Sequence, residues 1–288
     1  MKPRIIVAIL LILVVLAVAL VALAPRTLPV VPAQPPVRTA KPVPAFNRPT
    51  AALAGYATWP VTTQRQALAD LERAPAIDPE TTRFLLYIVK DPNEKANARN
   101  LAANALTAPG RWVGGLAAVF IEQARDPAED PMWRDYALQH AANVASRGED
   151  TDLVVEMLRQ TALADGPSAG TALLMLQRID QAGRTPLDTA VLDAVASRAF
   201  AAPESDINTT ITVLGVIGER RDRSRVAGVR AMLASQTPAV RRAACGALGL
   251  VGRPDEADAL ASVLSDRDDS VVAAATIARD RLTARRQP

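Results

Sequence analysis

Side-chain catalysis needs a nucleophile, a base and a group to orient them, and this chain offers few of each. His140 is its single histidine and Cys245 its single cysteine. A Ser-His-Asp or Cys-His arrangement would have to be built on His140. That residue lies in Tyr136-Ala137-Leu138-Gln139-His140-Ala141, a helical stretch with no strand-to-helix turn beside it. It reads as a packed or surface residue of a helix, and Cys245, set among small residues, reads as a packed thiol. One thiol and one imidazole do not make a zinc site. Carboxylates gather at Asp126/Glu129/Asp130, at Glu149/Asp150/Asp152 and at Asp266/Asp268/Asp269. Each group falls between the end of one helix and the start of the next, where acidic side chains cap free N–H groups and favour the positive helix end. No glycine or distal glutamate completes a calcium loop at Asp266, and no glycine-rich phosphate loop is present. The sequence therefore predicts no catalytic residue, no cofactor and no metal site, and the expectation is a protein that is not an enzyme.

What remains is surface. Trp112, Met132, Trp133 and Tyr136 cluster in sequence, and large aromatic and methionine side chains are favoured at the centres of protein interfaces. These four are the candidate protein-binding residues. The competing reading is core, because Trp133, Ala137, His140, Ala141 and Val144 recur at helical spacing.

The elements that carry them are helices. Apolar residues follow a 3.6-residue period over 62–73, 79–90, 93–107, 111–126, 131–146, 150–163, 167–181, 186–200, 205–219, 222–235, 238–251, 254–265 and 268–284. Breaks rich in Pro, Asp and Gly separate them, as at Asp78-Pro79, Asp91-Pro92, Asp130-Pro131, Gly166-Pro167 and Thr237-Pro238. Proline is tolerated in a first helical turn, where its missing N–H would have no partner anyway. No segment alternates with period two.

The helices repeat. Gly215 and Gly218 recur as Gly249 and Gly252, an offset of 34 residues. Ala98-Arg99-Asn100-Leu101-Ala102 aligns with Trp133-Arg134-Asp135-Tyr136-Ala137 at an offset of 35, and Ala239–Ala244 with Ser270–Ala275 at 31. A pair of helices with two turns needs about this length, and stacked pairs bury what one pair cannot. Ala243, Ala244, Gly246, Ala247 and Gly249 suit closely approaching helices. Pro238 to Gly249 resembles the first helix of a HEAT-like repeat of the phycobilin-lyase type, and Asp255 to Asp266 its second. Asp91–Leu106 and Asp126–Ala142 resemble weaker copies, whereas 150–200 lacks the Val-Arg-x-x-Ala-Ala core. The resemblance implies an all-α fold, an α-solenoid of about six HEAT-like helix pairs over 61–285. It also implies a partner-binding groove on the second helix of each pair, at 79–90, 111–126, 150–163, 186–200, 222–235 and 254–265. Protein or peptide binding is the function it implies. A chaperone, an enzyme similar to the chromophore lyases that share these repeats, and a nucleic-acid binder similar to HEAT-like DNA glycosylases are the alternatives.

Composition bears on these. Aromatic residues make up 3% of the 288 residues, and all ten lie at or before Phe200. Leu, Val, Ile and Ala must do the packing. The net charge of +3 is unevenly spread: the first 69 residues carry +7 and no acid, which leaves −4 on residues 70–288. A nucleic-acid binder concentrates its basic side chains on the folded body, so none is expected as a partner.

Residues 5–24 form an unbroken apolar run of twenty, about 30 Å as a helix and enough to cross a bilayer core. A cleaved signal peptide is the competing reading; its apolar region is usually shorter, and Pro25 follows the Ala-Leu-Ala triplet directly. Lys2 and Arg4 beside the run favour a cytoplasmic N-terminus. Eight prolines between Pro25 and Pro49 exclude a helix there and favour an extended spacer. The expected organisation is a tail at 1–4, a transmembrane anchor at 5–24, a Pro-rich basic linker at 25–60 and the repeats at 61–285. With an Ala/Arg/Pro-rich, Lys-poor composition, this suggests a single-pass protein of a bacterial inner membrane with its repeats in the periplasm.

Overall fold

Alanine, leucine and arginine are among the strongest helix formers, and this chain places them between strong stop signals. The computed structural model describes residues 53–285, which contain twelve α-helices, four 3-10 segments and no strand. The helices are α1 (Val61–Arg73), α2 (Pro79–Lys90), α3 (Ala96–Leu106), α4 (Leu116–Arg125), α5 (Pro131–Ala145), α6 (Thr151–Leu163), α7 (Ala169–Gln181), α8 (Thr189–Ala201), α9 (Ile207–Arg220), α10 (Val226–Ala231), α11 (Pro238–Val251) and α12 (Asp269–Ala284). The candidate anchor at 5–24 and most of the linker lie outside the described residues. Among the described residues no helix is long and apolar enough to cross a membrane.

Aspartates start the helices as their positions predict. Asp78 accepts from the N–H groups of Glu80 and Thr81, both at 2.9 Å, and Asp130 from Met132 and Trp133 at 2.8 and 3.1 Å. Asp91-Pro92 instead makes a turn closed by the Asn93 N–H on Asp91 at 3.0 Å, so α3 starts later than its apolar pattern suggests. The segment expected at 111–126 begins only at Leu116, because Gly115 takes the left-handed conformation at φ 73°. Expected helix 222–235 divides into 3-10, α and 3-10 pieces, and 254–263 is 3-10 throughout.

Two rows result. α1, α3, α5, α7, α9, α11 and α12 touch in succession as a first row; α4, α6 and α8 touch in succession in a second, and α2, α10 and the Pro254–Val263 segment pack against α3, α11 and α12 of the first. First-row neighbours come close. A Cβ on Gly170 of α7 would stand 2.8 Å from the Thr209 backbone of α9, and one on Gly249 of α11 2.9 Å from the Ala278 backbone of α12. Gly246, grouped with these by sequence, faces open space. The core is one continuous apolar cluster running from Leu53 to Leu282, built mostly from Ala, Leu, Val and Ile.

Arginines finish the helix ends. The last carbonyls of a helix lack intrahelical donors and carry the negative end of its dipole. Arg111, just beyond α3, donates to Leu71 O of α1 at 2.6 Å. Arg147, beyond α5, donates to Thr107 O after α3, and Arg184, beyond α7, to Ser146 O after α5 at 3.1 Å. Arg220 ends α9 and pairs with Asp180 of α7. Arg285 reaches Gly249 O and Gly252 O at the end of α11, both at 3.1 Å.

Candidate functional site

The residues with the richest chemistry lie inside. Arg99 of α3 is 1% exposed. Its guanidinium pairs with both oxygens of Glu129, at 2.7 and 3.2 Å, donates to Val89 O at 2.9 Å and to Gln123 Oε1, and lies 4.4 Å from the Trp133 ring centroid. Trp133 Nε1–H donates to the same Gln123 oxygen at 3.2 Å. This arrangement joins α2, α3, α4 and α5. A guanidinium offers five donors in a flat fork that suits a carboxylate and an aromatic face together. Trp133, a candidate for contact with partners, is thus a fully buried part of the core; its helical phase turns it inward, onto Arg99. Glu129, expected to cap a helix, is instead the buried counter-ion of Arg99.

His140 is 3% exposed and stacks on Phe120, with centroids 5.1 Å apart. Its Nε2 lies 2.8 Å from Asn100 Oδ1, and Nδ1 faces the Thr107 hydroxyl at 3.5 Å. Burial pushes its pKa down to about 4, which keeps the ring neutral at physiological pH. Cys245 is fully buried, and burial raises its thiol to about 11. Neither group meets solvent in the folded chain. Asp266 is held by Arg241 at 2.7 and 2.8 Å, and Asp268 caps Ser270 N–H at 2.9 Å. Among the described residues no cluster of His, Cys, Asp or Glu is arranged to hold a metal.

The outer faces of the two rows differ. On the second row the exposed positions are charges and small residues: Arg83 on α2, Glu122 on α4, Glu156 and Arg159 on α6, Asp193 and Ala194 on α8. Leu153 of α6 is the main apolar exception at 51% exposure. On the first row, the sixth residue of α3, α5 and α7 is Leu101, Tyr136 and Leu174, and the fifth of α9 is Ile211. All four are half-buried and packed on the core. Ala243 and Ala274 hold the sixth position in α11 and α12. Around this stripe lie the uncharged Asn97, Asn100, Asn104, Gln139, Asn143 and Thr212, all at least partly exposed, together with the half-buried Asp135 and the exposed Arg178. Met132 and Ile207, 56% and 37% exposed, extend it toward the helix N-termini. Of the four predicted binding residues, Met132 and Tyr136 share this face. Trp112 is 73% exposed on the loop before α4, beside a shallow recess formed with Ile77, Pro79, Thr82, Arg83 and Val113.

Sequence reasoning missed Leu101, Leu174 and Ile211. Their signal was one apolar residue at the same helical position in successive first-row helices. It also missed the arginines at the helix ends, although Arg111, Arg147, Arg184 and Arg220 recur every 36 or 37 residues.

Two stacked rows with repeating contacts define an α-solenoid. Residues 192–278, from α8 into α12, match the family described as HEAT repeats. No curated protein matches the sequence. Among solved structures, human deoxyhypusine hydroxylase in complex with glycerol is similar at a TM-score of 0.38 and 16% identity, over 81% of this chain and 83% of that one. An engineered protein is similar at 0.45 and 14% identity, over 75% of this chain and 96% of its own. Likenesses at these scores say nothing about activity.

Proposed function

We propose that this protein is a membrane-tethered scaffold that binds a protein or peptide across the first-row face of its repeats. The observation that carries the reading is the half-buried apolar stripe Leu101–Tyr136–Leu174–Ile211, with amide side chains around Leu101 and Tyr136. Apolar side chains ringed by hydrogen-bonding groups are the composition of a binding face. HEAT repeats over 192–278 support a scaffold role, and the second row, which the family resemblance favours for the groove, has a more charged exterior. The apolar run at 5–24 serves as the tether and the proline-rich segment as the spacer, with the repeats outside the cytoplasm. The test is site-specific photo-crosslinking of the full-length protein in its native membrane, with a benzophenone side chain at Met132 or at Leu153. The reading expects discrete adducts from position 132 and few from 153. The reverse pattern, or no adduct from either, refutes it. A reporter fused after residue 288 tests the orientation independently: activity on the cytoplasmic side refutes a periplasmic repeat body.

A further inference from the structure

Charged groups of both signs line one cavity beside α1 and α3, and they do not pair. α1 contributes Val61, Gln64 and Arg65, whose spacing puts them on one helix face. The turn between α2 and α3 contributes Asp91, Glu94 and Lys95, and α3 contributes Ala98. The cavity measures about 240 Å³, room for about eight waters and so for one molecule of amino-acid size. Among the described residues Arg65, Asp91, Glu94 and Lys95 make no ion pair, with one another or with any other group.

The two carboxylates differ in what surrounds them. Asp91 is well supplied: its Oδ1 accepts from the Asn93 N–H at 3.0 Å and its Oδ2 from the Tyr87 hydroxyl at 3.2 Å. Glu94 is half-buried, and among the described residues no side chain donates to it. Burial raises its pKa, the Asp91 charge raises it further, and the Lys95 N–H with the Arg99 and Lys95 charges offsets this only in part. Its charge also acts on Tyr56, which is 4% exposed and whose hydroxyl is shut off from solvent with no hydrogen-bond partner. Gln64 donates to the Tyr56 carbonyl at 2.8 Å, and its own side-chain oxygen accepts from nothing among the described residues. A carboxylate, an amide oxygen and a phenol oxygen thus lack donors in and beside one cavity. An ammonium group brings three N–H donors together with a positive charge.

A bare cation would not suit the rest of the lining. Arg65 and Lys95 are exposed and unpaired, and a guanidinium grips a carboxylate through two parallel N–H bonds. A ligand that carries both charges meets both needs.

We propose that this cavity binds a free α-amino acid, its ammonium group on Glu94 and Gln64 and its carboxylate on Arg65. The site lies apart from the first-row stripe, and its assignment does not depend on the scaffold reading.

The test uses the full-length chain in a non-ionic detergent. Each of the twenty L-amino acids is added singly in a thermal-unfolding series. The one with the largest effect then goes to titration calorimetry beside its amide, which lacks the carboxylate, and its N-acetyl form, which lacks the ammonium group. At one hundred times its Kd, a ligand of the folded state should raise Tm by about 5 °C or more. The proposal expects such a shift from at least one amino acid, and affinities about tenfold lower or worse for the two derivatives. Glu94→Gln should weaken the amino acid about tenfold and leave the N-acetyl form unchanged. Arg65→Gln should weaken the amino acid about tenfold and leave the amide unchanged. No shift from any of the twenty, or an amide or N-acetyl form that binds as well as the amino acid, overturns the proposal. Binding that both substitutions leave intact, or that each weakens equally for every form, overturns it as well.

Discussion

The single imidazole allows a direct test of how the interior was built. His140 has a pKa near 4 in the folded chain, against 6.5 for an unperturbed histidine. Burial is the cause, and no carboxylate lies among the groups that contact its nitrogens. A depressed folded-state value means that the unfolded chain binds the proton more readily. Above pH 6.5 neither state is protonated and the contribution to stability is fully present. As pH falls from 6.5 to about 4 it is progressively lost, and below 4 no more is lost. At 1.36 kcal/mol per unit the loss amounts to about 3 kcal/mol. Because the chain has one histidine, isotopic labelling of that residue yields one ring signal with no assignment problem. The expected result is a neutral-ring chemical shift that stays constant from pH 7.5 to pH 5. Hydrogen-exchange protection factors, corrected for the intrinsic pH dependence, should fall over α3–α5 between pH 6.5 and pH 5, less so in His140→Gln. A titration midpoint at 6 or above refutes the burial argument.

Three further outcomes follow from the packing. Arg99→Ala leaves Glu129 buried without its cation and should cost about 3–5 kcal/mol, visible as a lower urea midpoint and an altered Trp133 emission; Arg99→Met combined with Glu129→Leu should recover much of the loss. Gly249→Val places side-chain carbon within 3 Å of the Ala278 backbone and should destabilise α11 and α12 by about 1–3 kcal/mol, read as faster exchange in those helices; Gly246→Val, facing open space, should cost much less. Cys245, buried and with its thiol raised to about 11, should react with an aromatic disulfide only as fast as the chain opens. Labelling within seconds under native conditions would refute its placement.

Helix positions were legible because apolar period, proline and aspartate all act over a few residues. Asp78-Pro79 and Asp130-Pro131 start helices where their chemistry says they should. The repeat architecture followed from offsets of 31 to 35 residues. The interior of the candidate region did not follow. Arg99 and Arg134 occupy equivalent positions in two aligned segments, yet one is buried and the other half-exposed. What separates them is Glu129 and Gln123, thirty and twenty-four residues further along, a coincidence no local pattern encodes. Trp133 was ambiguous for the same reason: nearness in sequence to Trp112 and Met132 says nothing of the direction a helix turns it. Gly249 and Gly246 are three residues apart on one helix, and only the neighbour's backbone distinguishes them.

The arginines at the helix ends give the array a direction in time. Arg147 finishes the end of α3, Arg184 that of α5 and Arg285 that of α11. These first-row helices therefore wait for a residue about 40 positions later before the carbonyls at their ends are satisfied. On a ribosome these helices emerge incomplete, and each is sealed only when its successor has been made. Removing repeats from the C-terminal side would unseal the helix left behind, whereas removing them from the N-terminal side would leave every later seal in place.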